Sequence, residues 1–130
     1  MDFVKHTSLM TLTGATGSST GTTLGGLSRY NSFVFTMNMT TGTGTYGMAL
    51  DTKVGAAWVN VLRTTDLTTG SLLSYPLAVR NNLTAAEINA SVDAGAGTVR
   101  AIPIHDQVRV RLIETTATLM TGVATLYAVK

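Results

Sequence analysis

The most regular alternation of apolar and polar residues in this chain lies near its C-terminus, between residues 99 and 129. In the run 108–112, three apolar residues alternate with Arg109 and Arg111, and the run 123–129 alternates again after a Thr-rich break. A period of two residues is typical of a β-strand, because successive side chains leave a strand on opposite faces. The two runs predict a β-hairpin whose apolar face carries much of the core.

Shorter alternating runs earlier in the chain predict further strands. Residues 33–39 alternate Phe and Met with Val, Thr and Asn, and residues 45–50 alternate again after a turn rich in Thr and Gly. Together these two runs predict a second hairpin. A short strand is predicted at 58–62, and another at 72–80, where Pro76 confines the strand to a sheet edge or makes it irregular.

The segments between these runs carry turn and cap signals. Residues 51–55 are predicted as a turn, residues 8–12 carry a weak strand signal, and residues 84–90 fit a capping box that opens a helix of one or two turns. About seven or eight short strands separated by turns predict an all-β fold. We expect an antiparallel, jelly-roll-like β-sandwich rather than a parallel α/β fold.

The N-terminal segment has a composition of its own. Residues 13–28 consist mostly of Gly, Ser and Thr, and a segment with so few large apolar groups does not build a core by itself. We therefore predict that residues 1–28 form an extended N-terminal arm and that residues 29–130 form the β-sandwich. The first residues lack the basic and apolar regions of a signal peptide, which predicts folding in the cytosol where the chain is made.

Composition and charge narrow the classes of partner. The chain has 130 residues, which predicts one domain, and its lack of Cys excludes disulfides. Only 12% of the residues are charged, about half the usual share, and the net charge is +2. The Lys and Arg residues are scattered rather than clustered, and no apolar run approaches the ~18 residues of a membrane span. We expect neither nucleic acid nor a membrane among the partners.

Two glycine-containing segments match the spacing of a nucleotide-binding motif and of a catalytic motif. Residues 42–47 match the dinucleotide-binding spacing G-x-G-x-x-G, but the following residues read as a strand instead of the helix that must meet the pyrophosphate. Residues 17–21 match G-x-S-x-G, yet no buried strand and helix flank Ser19 as a nucleophile elbow requires. A glycine-rich hairpin and a polar loop are the favoured interpretations.

The remaining titratable residues give no catalytic or metal-binding pattern. His105 and Asp106 are adjacent, but a zinc site needs about three protein ligands, and a turn between Pro103 and Val108 is the favoured interpretation. We therefore expect no metal, no cofactor and no enzymatic activity.

For each of two pairs of side chains, the sequence allows a functional and a structural interpretation. Trp58 and Tyr127 form either a sugar-binding platform or, as aromatic residues of a small sandwich more often do, part of the core. Arg109 and Arg111 share one strand face, which is either a solvated surface or an interface with the carboxylates of a neighbour.

The order of these features resembles a small β-sandwich module of the virion proteins of tailed bacteriophages, over about residues 30–129. The matching features are an alternating strand and Gly/Thr turn at 33–44, an acidic turn that leads to a Trp at 51–61, a short turn and V-R-V-R strand at 104–111, a Thr/Gly loop at 115–122 and a final alternating strand at 123–129. The resemblance implies a structural protein without catalytic activity.

Some proteins of this kind decorate or cement the capsid surface, often as trimers at local threefold positions, and others belong to tails, necks or fibres. The resemblance implies a decoration protein of the virion that bridges subunits of the major capsid protein, with the N-terminal arm lying across the neighbours. A tail, neck or fibre component and a carbohydrate-binding sandwich are the alternatives. The candidate interface residues are Thr16, Thr20, Leu24, Leu27, Arg109 and Arg111.

Overall fold

A computed structural model describes residues 4–15, 19–42, 46–65, 72–76, 92–95, 97–100, 102–114 and 120–129. These residues form nine β-strands: β1 Val4–Ala15, β2 Ser19–Thr20, β3 Ser32–Gly42, β4 Tyr46–Val54, β5 Ala57–Arg63, β6 Leu72–Pro76, β7 Thr98–Val99, β8 Val108–Glu114 and β9 Met120–Val129. Within these ranges there is no helix, and therefore none long and apolar enough to cross a membrane. The helix predicted at 84–90 lies outside the described residues.

The strands form two antiparallel sheets. One sheet has four strands in the order β1-β9-β3-β6, and the other has five in the order β2-β8-β4-β5-β7. Side chains from both sheets belong to one buried cluster. The prediction of an all-β, antiparallel, sandwich-like fold is confirmed.

The core between the sheets follows the predicted alternation. Phe35 and Met37 of β3 and Leu126 of β9 face it from the four-stranded sheet, and Leu50 of β4 and Val110 of β8 face it from the five-stranded sheet. Each of these side chains is at most 1% exposed. Alternate positions along each strand are apolar because only one face of each sheet is turned toward the other sheet.

Both predicted hairpins are wrong in their pairing. β8 lies in the five-stranded sheet and β9 in the four-stranded sheet, and β3 and β4 are separated in the same way. A chain covers up to about 3.3–3.6 Å per residue, so the links at 43–45 and 115–119 are long enough to cross the ~10 Å between packed sheets. Alternation identified these strands correctly but carried no information about their neighbours.

Among the described strands, the hairpin joins β4 to β5. The turn predicted at 51–55 is wrong, because β4 continues to Val54 and only Gly55 and Ala56 form the loop. Gly55 has a φ of 61°, and no residue other than glycine has a positive φ in the described chain. A two-residue loop with positive φ at its first position alone is a type II′ turn, whose twist suits an antiparallel hairpin.

The strand that contains Pro76 lies at a sheet edge, as predicted. β6 ends at Pro76, which pairs in register with Val34 of β3. β6 is the last strand in the order of the four-stranded sheet, where the missing N–H of proline removes no bond to a further strand.

The described part of the predicted N-terminal arm is extended and is paired with both sheets. β1 runs along β9 over its whole length, and β2 pairs with β8. Leu24 then bridges to Val108, and Leu27 is fully buried in the core. In this structure, residues 4–15 and 19–27 are therefore part of the sandwich of their own chain.

Asp106 fixes the end of this segment. Its carboxylate accepts a hydrogen bond from the backbone N–H of Ser28 at 3.1 Å, and its carbonyl accepts one from the N–H of Leu27 at 3.2 Å. The hydrogen bond from the Ser28 side chain, followed by bonds from the backbone N–H groups of residues 26–28, holds the pKa of Asp106 below its ordinary value. The bend at Asp106 thus joins the N-terminal segment to the turn before β8.

Candidate functional site

The outer face of the five-stranded sheet carries a group of charged and polar side chains, here called the Asp51 cluster. It consists of Asp51, Asn60, Asp93, Arg109 and Arg111. Alternation along β4, β5 and β8 directs Asp51, Asn60 and the two arginines away from the core, because their neighbours Leu50, Val61 and Val110 face inward. The sheet order places β4 between the other two strands, so Asp51 is the centre of the cluster.

Asp51 is a buried carboxylate surrounded by donors. Arg109 Nε lies 2.9 Å from Oδ2, while Arg111 donates from Nε to Oδ2 at 2.7 Å and from Nη2 to Oδ1 at 2.9 Å. Asn60 Nδ2 adds a bond to Oδ1 at 3.1 Å. The residue is only 2% exposed, and these charge-assisted bonds replace the water that the carboxylate loses on burial.

Asn60 connects the cluster to a second segment of the chain. Its side-chain amide donates to Asp51 and to the carbonyl of Leu62, and its Oδ1 accepts from the backbone N–H of Ala94 at 2.8 Å. The β4–β5 register shifts between Leu50 and Asp51, which places the Asn60 amide beside the carboxylate. Asn60 is thereby satisfied on both its donor and its acceptor atoms although it is 3% exposed.

Residues 92–95 lie across the outer face of the sheet at this point. Asp93 accepts hydrogen bonds from Arg111 Nη2 at 2.7 Å and Nη1 at 3.3 Å, while Ala94 is bonded to Asn60. Ala49, the cross-strand neighbour of Arg111, is fully buried although it faces away from the core. The outer face is thus covered by protein around Arg111 and is not a bare solvated surface there.

The network shifts the pKa values of Asp51 and Arg111 in the directions that favour their charged forms. Burial alone would raise the pKa of Asp51, but the hydrogen bonds from Arg111, Asn60 and Arg109 outweigh it and hold the pKa below its ordinary value. The bond to Asp51, reinforced by Asp93, raises the pKa of Arg111. Asp51 therefore stays ionised and bonded, which makes it a poor general base.

Trp58 lies beside this cluster on the same outer face. The guanidinium carbon of Arg109 is 4.5 Å from the centre of the Trp58 ring, and Nζ of Lys53 is 5.9 Å from it. Lys53 and Trp58 are cross-strand partners in the β4–β5 hairpin. Both distances fall within the range in which a cation is attracted to an aromatic ring.

The structure excludes a sugar platform formed by Trp58 and Tyr127 together. Trp58 faces outward from the five-stranded sheet, whereas Tyr127, which is 37% exposed, faces outward from the four-stranded sheet. The two rings therefore lie on opposite sides of the sandwich. Neither ring belongs to the buried core cluster, so the alternative interpretation as core residues is wrong as well.

His105 and Asp106 form a turn before β8, as the favoured interpretation predicted. The His105 backbone N–H donates to Thr52 Oγ1 at 2.8 Å, and its ring Nδ1 lies 2.9 Å from the carbonyl of Pro103. The bonds of the Asp106 carboxylate go to residues 26–28, far away in sequence. Nowhere in the described ranges do three or more His, Asp or Glu side chains approach each other closely enough to hold a metal ion.

Neither glycine motif has the structure that its chemistry requires. β3 ends at Gly42 and β4 begins at Tyr46, so residues 42–47 link two strands of different sheets and are followed by a strand, not by a helix. They are not the glycine-rich hairpin that the sequence favoured. Ser19 lies in β2, paired with Leu112 of β8, and residues 21–27 after it contain no helix.

The candidate interface residues fall in different environments. Thr20 is exposed, Leu24 is half-buried against the core, and Leu27 belongs to the core itself. Thr16 lies outside the described residues. The two arginines bond to Asp51 within their own chain and keep about a quarter of their side-chain surface exposed, at 28% for Arg109 and 26% for Arg111. A role for the exposed candidates in contacts with a neighbour stays a prediction.

Sequence reasoning missed the partners of the two arginines. The turn predicted at 51–55 contains Asp51, and no pattern in the sequence singles out Asn60 or Asp93. A usable signal was present for Asp51, because the alternation of residues 45–50 continues through it and places it on the face of Ala49. No local signal marks Asp93, whose contact with Arg111 joins residues 18 positions apart in sequence.

The arrangement as a whole is suited to holding a surface in one shape. Its carboxylates are ion-paired, its amide is satisfied, and its aromatic ring is in contact with a cation.

Comparisons with protein-family models, with curated proteins and with solved structures give no match to this chain.

Proposed function

We propose that this protein is a structural virion protein, a decoration or cement protein that stabilises a phage head by bridging subunits of the major capsid protein. The proposal starts from the resemblance of residues 30–129 to β-sandwich modules of tailed-phage virion proteins. It requires a rigid body, surfaces that dock onto protein, and many symmetric copies that turn weak contacts into high avidity. The first two requirements have counterparts among the described residues.

The observation that carries the proposal is the position of β1 at the edge of its sheet among the described strands. β1 spans twelve residues, is the first strand in the order of its sheet, and pairs with β9 alone among the described strands. A strand at a sheet edge presents backbone N–H and C=O groups to which an extended segment of another protein can be added. This edge gives a capsid subunit a place to dock without any specific side-chain chemistry.

The outer face of the four-stranded sheet supports the same role. Its described positions on β3 and β9 carry no charge: Ser32, Val34, Thr36, Asn38, Val123, Tyr127 and Val129, together with Thr125, which is already buried within the chain. Cross-strand pairs there join Val34 to Tyr127 and Thr36 to Thr125. Burying such a surface against protein requires no desolvation of ions, which makes it better suited to a subunit contact than a charged face.

The Asp51 cluster supplies the rigidity that a cement protein needs. It ties β4, β5 and β8 to residues 92–95 through side-chain hydrogen bonds, in addition to the backbone ladder. Polar networks whose buried members, here Asp51 and Asn60, are hydrogen-bonded hold a protein in one conformation. A body of fixed shape loses little conformational entropy when it docks at many equivalent positions.

The test measures the mass of the purified full-length protein by light scattering and its binding to empty phage shells by co-sedimentation. A trimer that saturates the shells at a fixed ratio supports the proposal. A monomer that ignores shells but co-sediments with phage tails would assign the protein to a tail or neck instead. Binding to neither structure, with retention on a glycan array, would assign it to carbohydrate recognition and overturn the proposal.

A further inference from the structure

The only tryptophan of this chain stands between two cations at the end of the β4–β5 hairpin. Arg109 lies 4.5 Å and Lys53 lies 5.9 Å from the centre of the Trp58 ring. The chain has only nine Lys and Arg residues in total, so two of them on one indole is a marked concentration of positive charge. We call Lys53, Trp58 and Arg109 the Trp58 patch.

The two cations of the Trp58 patch retain hydrogen-bonding capacity. Arg109 uses Nε for Asp51, and neither of its Nη atoms donates a hydrogen bond within the described ranges. Lys53 has no carboxylate within 4.0 Å of its ammonium group in the same part of the chain. Arg111 differs, because Asp51 and Asp93 together engage its Nε, Nη1 and Nη2. The positive charge that remains uncompensated on this face therefore includes Lys53.

The hairpin tip beside the patch is apolar and exposed. Val54 is 38% exposed, and residues 55–57, which are Gly, Ala and Ala, are exposed as well. Trp58 and Arg109 belong to the residue types that supply most of the binding energy at protein interfaces. An apolar tip next to a Trp and two cations suits a protein segment with carboxylate and apolar side chains better than a small inorganic anion.

We infer that the Trp58 patch and the adjoining hairpin tip form a docking surface for an acidic segment of a partner protein. Carboxylates of the partner contact the Nη atoms of Arg109 and the ammonium of Lys53, and its apolar side chains cover the ring of Trp58 and the exposed loop residues Gly55 and Ala56. Asp51 holds Arg109 in place through Nε, so the free edge of the guanidinium is presented in a fixed position. The inference rests on these residues alone and holds whether or not the protein is a virion component.

Because Trp58 is the only tryptophan, its fluorescence reports directly on the patch. The full-length protein is titrated with poly-L-glutamate at low ionic strength, and the Trp58 emission is recorded. We expect a saturable change in emission that weakens as salt is added, because the contacts are charge pairs at a surface. Lys53→Glu is expected to weaken the binding about tenfold or more, because it places like charges opposite each other.

Arg63→Glu is the matched control, since it makes the same charge reversal outside the Trp58 patch. Arg63 lies on β5 five residues after Trp58, which is roughly 17 Å from Trp58 at the rise of a strand. This substitution is expected to leave the titration unchanged. Lys53→Ala provides a milder variant whose intermediate loss supports the inference even if Lys53→Glu folds poorly. An unchanged Trp58 emission with poly-L-glutamate, equal loss in the Arg63 and Lys53 variants, or an equal response to phosphate or polyuridylate at the same ionic strength would overturn it.

Discussion

Arg111 binds Asp51 through two parallel hydrogen bonds although the two residues are not cross-strand partners. Nε lies 2.7 Å from Oδ2 and Nη2 lies 2.9 Å from Oδ1, whereas the register pairs Arg111 with Ala49 and Asp51 with Arg109. The planar guanidinium fork reaches diagonally across β8 and β4, which the compact ammonium of a lysine does not reproduce. One carboxylate thereby fixes two arginines of the same strand.

The first prediction is that Asp51→Asn destabilises the fold by about 3 kcal/mol, because it leaves the partly buried guanidinium of Arg109 without a carboxylate and that of Arg111 with only the exposed Asp93. Urea denaturation at neutral pH measures this loss as a lower midpoint. Asp93→Asn is the matched control, since Asp93 is 38% exposed and an exposed ion pair contributes less than about 1 kcal/mol. Equal effects of the two substitutions would contradict the central position of Asp51.

The second prediction concerns acid. The ordinary pKa of the Asp51 carboxyl is 3.8, and its pKa in the folded protein is lower. As the pH falls, the unfolded chain therefore takes up this proton before the folded chain does. The contribution of Asp51 is fully present above about pH 5 and is lost as the pH falls through the folded pKa. Urea midpoints between neutral and acid pH should fall less steeply for Asp51→Asn than for the wild type, and parallel curves would show that Asp51 does not couple stability to pH.

The third prediction tests whether the N-terminal segment is part of the fold. Leu27 is fully buried in the core, and truncation of a buried leucine costs about 2–5 kcal/mol. Leu27→Ala should therefore lower the free energy of unfolding by that amount, whereas Leu24→Ala, at a half-buried position, should cost less. A negligible effect of Leu27→Ala would mean that the segment detaches from the sandwich in solution.

The fourth prediction compares two glycines with positive φ. Gly97 has a φ of 78°, and a Cβ there would lie 3.0 Å from Thr65 Cγ2, whereas a Cβ on Gly55, with a φ of 61°, would meet nothing within 4 Å. Both substitutions carry the backbone cost of a side chain at positive φ, about 1–3 kcal/mol, and Gly97→Ala should lose more stability than Gly55→Ala because Thr65 must also move. Thermal denaturation of both variants checks the order, and a greater loss at Gly55 would contradict it.

The strands could be predicted from sequence because burial of one sheet face imposes a period of two. Val108, Val110 and Leu112 are at most 1% exposed, and Ala124, Leu126 and Ala128 line the same core, as the alternation predicted. The predicted strand ended too early at Asp51, because Asp is a residue type that favours turns. Asp51 is a strand residue here because two arginines and an asparagine satisfy its carboxylate, a tertiary effect that overrides local preference.

The pairing of the strands could not be predicted in the same way. Alternation states that a strand has an inner and an outer face, but β8 and β9 show the same pattern whether they are neighbours or belong to opposite sheets. The hairpin β4–β5 is better specified, because Gly55 permits the positive φ of a two-residue turn. The Asp51 cluster depends on the correct pairing of three strands, and for that reason only its arginines were identified from sequence.

The measurement that tests the proposed function most directly is the number of copies bound per empty phage shell at saturation, determined together with the mass of the free protein. The proposed function predicts a trimer in solution and a plateau at three copies for each local threefold position, which is a fixed ratio to the major capsid protein. Absence of binding to shells, or binding that rises without reaching a plateau, would contradict it.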